Sequence, residues 1–222
     1  MPPAETASGA GLSFRERMAG PFAMGVTDPH EGARVGRRTA WRLTLHATVT
    51  IDDVAAFVAA PQHPGRLAGE IELPGIARRL PFRDGLFQLF APSGEPDLTL
   101  FRYEAPFVLH SRPHYLAGRK NVRDDPGLDL WPDTTSLEVR LHNGPDASGE
   151  IVGAGILRLG VTDLARLLRS MRVLHPPSPV QGAAALAGFA GLFARNLFDS
   201  YALRPRARAD RARRPRDTGG TG

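Results

Sequence analysis

Chemistry-bearing side chains are densest between Arg119 and Thr135. There Arg119, Lys120 and Arg123 lead into the string Asp124-Asp125-Pro126-Gly127-Leu128-Asp129-Leu130-Trp131-Pro132-Asp133-Thr134-Thr135. Clustered carboxylates are the donors a hard cation takes, but the spacing is not that of an EF-hand loop with its closing glutamate, and the adjacent cations can neutralise them. Asp125-Pro126-Gly127 is a turn, aspartates in such a segment bond to backbone amides, and Trp131 suits the mouth of a barrel as a plug. A structural role is expected first, ligand contact second and a metal third. The candidate ligand-binding residues are Tyr103, Arg119, Lys120, Asp124, Asp125, Asp129 and Trp131; no catalytic residue and no metal ligand is assigned.

The other motifs carry less. The seven histidines include no helical i, i+4 pair able to chelate a metal. His46 and His142 fall on the polar faces of strands, and His110 and His114 flank a hairpin turn. Gly153, Gly155 and Gly160 imitate a dinucleotide fingerprint, but the third glycine is late and no helix opens on the motif, so glycines making room for a bulky neighbour or ligand are expected instead. Neither a G-x-S-x-G elbow, a P-loop nor H-E-x-x-H occurs. With no cysteine, disulfides, thiolate metal sites and cysteine nucleophiles are excluded.

The elements that must position these residues fit one large domain of 222 residues. The formal charge of +5 comes from the end of the chain, where seven arginines from Arg204 onward face Asp210 and Asp217. The rest is neutral and lacks the basic face of a nucleic-acid-binding domain. Residues 1–11 and the arginine-rich tail 204–222 are expected to be disordered, with the globular part at 12–203. The start has no basic n-region or apolar h-region, and no apolar run reaches the ~18–20 residues of a membrane span; cytoplasmic residence is the default expectation. One lysine beside 27 arginines points to a GC-rich genome.

Period-two alternation dominates the globular part. Trp41, Leu43, Leu45, Ala47, Val49 and Ile51 alternate with polar residues, as a strand with one dry face requires. Leu12–Met24 is counted as a first strand. Asp52 and Asp53 cap a short helix over Val54–Ala60, and strands follow at Leu67–Leu73, Leu86–Ala91, Leu98–His110, His114–Val122, Leu137–Leu141 and Ile151–Leu159. Ser111-Arg112-Pro113 is the expected turn of one hairpin. Thr162 then caps an amphipathic helix bearing Leu164, Leu167, Leu168 and Met171. After a proline-rich break, a second helix from about Val180 to Leu203 carries Leu186, Phe189, Phe193 and Leu197 and is expected to cover a barrel end or a sheet face. The fold class is therefore all-β: an antiparallel meander of about eight strands in a closed or nearly closed, calycin-like barrel, with two C-terminal helices.

Phe14-Arg15-Glu16-Arg17-Met18-Ala19-Gly20, His46-Ala47-Thr48-Val49-Thr50-Ile51-Asp52-Asp53, Tyr115-Leu116-Ala117-Gly118-Arg119-Lys120 and the aspartate string through Thr135 together resemble an accessory segment of some GMC-type, cholesterol-oxidase-like flavoprotein oxidoreductases. The likeness covers about residues 12–203, and the D-D-P-G-x-D-x-W-x-D-T-T string is its most specific part. It implies association with redox chemistry on sterol-like or other hydrophobic substrates. The flavin-binding fingerprint is missing, so FAD would come only through a partner. The expected function is a non-catalytic module that binds a hydrophobic small molecule or docks onto a flavoprotein or hydrolase. Its rival is an enzyme using Arg119, Tyr103, His46 or the aspartates as acid–base groups inside the barrel. Glycines at 69, 118, 153 and 155 motivate an interior cavity in a barrel of this size.

Overall fold

A computed structural model describes residues 9–73, 75–92, 98–123 and 136–202. Among these residues eight strands run in series: β1 (Gly11–Met24), β2 (Arg42–Ile51), β3 (Pro64–Leu73), β4 (Ala77–Pro92), β5 (Leu98–Leu109), β6 (Arg112–Arg123), β7 (Ser136–Asn143) and β8 (Glu150–Arg158). Each pairs antiparallel with the next, and β8 returns to β1 from Ala19↔Arg158 to Met24↔Gly153, closing an eight-stranded barrel. A ninth strand, β9 (Arg172–Leu174), adds to the start of β1.

Strand parity sorts the side chains. Leu12, Phe14, Met18 and Phe22 of β1 face Leu45, Val49, Leu67, Phe87, Tyr103, Leu116, Leu137 and Val139 in one buried cluster. Fully burying each large apolar side chain is worth about 1.5–3 kcal/mol, which makes this interior the main source of stability.

Among the described residues, four helices accompany the barrel. α1 (Pro29–Thr39) joins β1 to β2 and is absent from the sequence-based expectation. Asp28 caps it, accepting from the Glu31 amide at 2.8 Å. It lies very close to the sheet: a Cβ on Gly32 would stand 2.1 Å from the Ala154 carbonyl oxygen, and one on Gly36 would stand 2.4 Å from the Phe22 nitrogen. α2 (Val54–Ala59) is capped by Asp53 as expected. α3 (Val161–Ser170) starts after Gly160 with no side-chain cap, so Thr162 is not its N-cap. Of its apolar stripe Leu167 is buried, whereas Leu168 is exposed. α4 (Pro179–Ala202) covers the barrel end beside α2: the Phe189 ring lies 5.9 Å from Phe14 and 6.1 Å from Phe57, with Ala185 and Leu192 also buried.

Several boundaries move. Gly9 and Ala10, expected in the disordered start, are tied down: the Gly9 amide donates to Asp53 at 3.0 Å and the Val54 amide to Ala10 at 3.0 Å. The β5–β6 turn consists of His110 and Ser111, whose φ values of 48° and 61° suit a two-residue turn matching the strand twist, so Arg112 and Pro113 already belong to β6. β4 extends well before Leu86, and bulges break its alternation between Phe82 and Leu86 and between Gln88 and Ala91. Asp124, Asp125, Asp129, Trp131 and the tail 204–222 lie outside the described residues.

Candidate functional site

Among the described residues, Glu16, Tyr103 and Lys120 point into the apolar lumen, exposed by 7%, 8% and 5%. Glu16 shares the inward parity of Phe14 and Met18 on β1, and Tyr103 that of Phe101 and Ala105 on β5. β1 and β5 stand opposite each other around the ring, so Glu16 meets Tyr103 across the lumen. The phenol donates to Glu16 Oε2 over a long 3.4 Å. The other carboxylate oxygen, Oε1, is buried with no hydrogen-bond partner among the described residues.

Burial dominates the electrostatics. It lifts the Glu16 carboxyl from 4.5 to about 7, against the opposing effects of the Tyr103 hydroxyl and the Lys120 charge. Burial, and then the Glu16 charge, push the Tyr103 phenol well above its usual value of 10. A partnerless buried carboxyl oxygen costs roughly 1–3 kcal/mol, so an apolar residue would serve a purely structural interior better.

Aromatic rings line this half of the lumen. Phe87 meets Phe14 edge-on at 6.0 Å and Tyr103 at 5.2 Å, while Phe90 meets Phe101 at 4.8 Å. Lys120 Nζ stands 4.8 Å from the Phe101 ring centroid, a cation–π contact. Phe90 is held at φ 48°, in the left-handed region, within the second β4 bulge. That conformation costs of order 1–3 kcal/mol in a bulky residue; here the bulge lets both Leu89 and Phe90 be buried.

The glycines of the barrel do not open this interior, even beside Tyr103, whose cross-strand partner is Gly118. A Cβ on Gly153 would lie 2.6 Å from the Phe22 ring, one on Gly155 would lie 2.7 Å from Phe22 Cα, and one on Gly118 would lie 2.8 Å from Leu137. A Cβ on Gly69 would stand 1.9 Å from the His46 carbonyl oxygen. These glycines therefore accommodate neighbours and not a cavity.

Of the sequence-derived candidates, Tyr103 and Lys120 share this lumen. Arg119 is exposed on the outer face, paired across the ladder with Glu138. His46 is also outside, with Nε2 3.1 Å from Glu72. Glu16 is absent from the sequence-derived candidates, although its place between Phe14 and Met18 on the dry parity of β1 is a readable signal. Among the described residues, no three of His, Asp and Glu are grouped to hold a metal. No described helix is long and apolar enough to cross a membrane. Comparison with protein-family models, curated proteins and solved structures found no match.

Proposed function

We propose that the chain is a non-catalytic binding barrel for a small hydrophobic molecule that carries a hydroxyl group, sterol-like or lipid-like in character. The observation that carries this reading is Glu16 Oε1, an acceptor sealed in an apolar lumen with no partner of its own among the described residues. A ligand hydroxyl donating to that oxygen would remove the cost of the orphaned acceptor, while the aromatic rings around it would bury the apolar body. The α2 end is closed by α4, which is fastened by Ala185, Phe189 and Leu192, so a ligand would enter by displacing it. Any redox step on the carried molecule would belong to a flavin-bearing partner, as the resemblance to GMC-associated segments suggests.

A second reading, an enzyme acting on such a molecule, is favoured by one observation: a carboxyl near 7 within 3.4 Å of a phenol suits general acid–base work. Native mass spectrometry of protein from its own host, beside a denaturing organic extract, separates the readings. A co-purifying hydrophobic alcohol, lost in Glu16→Ala, supports the carrier. An empty wild-type protein that converts an added hydrophobic alcohol supports the enzyme, and an empty protein that neither binds nor converts one refutes both.

A further inference from the structure

A second concavity lies outside the barrel, where α3 and β9 rise over the outward faces of β1, β2 and β3. It is a groove of about 630 Å³. Five arginines from three elements line it: Arg15 and Arg17 of β1, Arg166 and Arg169 of α3, and Arg172 of β9. The facing acids are few. Asp163 serves both Arg17, at 3.7 Å, and Arg166, at 3.0 Å, while Glu70 pairs with Arg79 at 3.4 Å. Glu16 also borders the groove, but its carboxyl is the buried one bonded to Tyr103. His46, on the floor, is engaged by Glu72. Arg15, Arg169 and Arg172 have no carboxylate within ion-pair distance among the described residues.

The groove is also pinned in shape. Between the β9 pairing at Ser13 and the β8 pairing at Ala19, the second edge of β1 meets no described strand. The end of α3 fills that seam: Ser170 Oγ accepts from the Arg15 amide at 2.8 Å and lies 3.2 Å from the Arg15 carbonyl oxygen. The guanidinium groups are thus carried on elements fixed to one another. The globular part is neutral overall, so this concentration of positive charge reflects segregation on the surface, and a concave wall focuses its field.

We propose that this groove binds a phosphate group, taken from a soluble phosphate compound or from a lipid headgroup. Planar guanidinium forks match phosphate oxygens two at a time, and three arginines without a carboxylate can surround one multiply charged anion. The site is independent of the lumen.

The test uses full-length protein at low ionic strength, with two probes. Pyrophosphate is followed by calorimetry, and phosphatidylcholine vesicles with and without phosphatidic acid by co-sedimentation. Binding should weaken at least about tenfold in Arg169→Ala/Arg172→Ala, and should tighten in Asp163→Asn, which frees two guanidinium groups. Pyrophosphate binding with that response assigns a soluble ligand; phosphatidic-acid binding with the same response, without pyrophosphate binding, assigns the headgroup. The proposal is overturned if neither probe binds, or if binding is unchanged in the double variant, since the arginine-rich tail then accounts for it. Both arginines are exposed, so an unchanged melting temperature identifies the loss as local.

Discussion

Replacing Glu16 by glutamine removes a charge from the lumen while retaining a carbonyl acceptor, and its effect on stability has a calculable pH dependence. The native carboxyl titrates at about 7 against an ordinary value of 4.5. Between those values the native protein keeps the proton that the unfolded chain has released, so the unfolded state binds fewer protons and stability falls as pH rises. Below about 4.5 both states are protonated, and above about 7 both are ionised, so the slope is confined to that window. A shift of this size corresponds to about 3 kcal/mol, of which about 2–3 kcal/mol develops between about pH 5 and pH 8. Tyr103 adds a decline only in the alkaline range, because its phenol is raised from 10. Urea unfolding at both pH values measures the effect. The wild type should lose that stability relative to Glu16→Gln, whose own profile lacks the slope. Parallel profiles for the two proteins would refute the buried, proton-holding carboxyl.

Three further outcomes test the packing. Gly153→Ala drives a methyl group to 2.6 Å from the Phe22 ring and should cost about 1–3 kcal/mol in urea unfolding, whereas a vacant lumen would accept it freely. Gly32→Ala meets the Ala154 carbonyl at 2.1 Å, backbone that cannot turn aside as a side chain can, so α1 should lift from the sheet with a loss of at least about 1–3 kcal/mol and faster amide exchange in α1. Asp53→Ala removes the α2 cap and the Gly9 contact, lowering stability by about 1 kcal/mol. The Asp53 carboxyl is held below its usual 3.8 by the Ala56 amide above all, so the wild-type advantage is present above the unfolded value and disappears as pH falls through the native one.

The barrel was legible because its strands keep a strict parity: β2 shows a dry face from Leu43 to Ile51 without interruption. Parity failed where the backbone departs from it. β4 carries Asp84 and Phe90 at positive φ beside its two register shifts, so inward residues no longer recur at every second position, and the half before Leu86 reads as polar chain. α1 was hidden for another reason. It packs with Gly32, Ala33 and Gly36, residues too small to form an apolar stripe, and only Asp28-Pro29 with Glu31 marks its start.

The site was half legible. Tyr103 is placed by the strand face it shares with Phe101 and Ala105, and Lys120 by the charged stretch it stands in, but nothing local tells that β1 faces β5, the relation that brings Glu16 to Tyr103. Arg119 neighbours Lys120 in sequence yet lies on the outer face, because in a strand neighbours face opposite sides. The arginine groove draws on three separated segments and has no sequence signature.

The most direct test of the lumen as a binding site is a carboxyl-carbon NMR titration of Glu16, with and without a long-chain alcohol. The free protein should show a midpoint of about 7, moving down when the alcohol donates a hydrogen bond to the ionised carboxylate. A midpoint of about 4.5, or one that the alcohol leaves in place, would contradict this expectation.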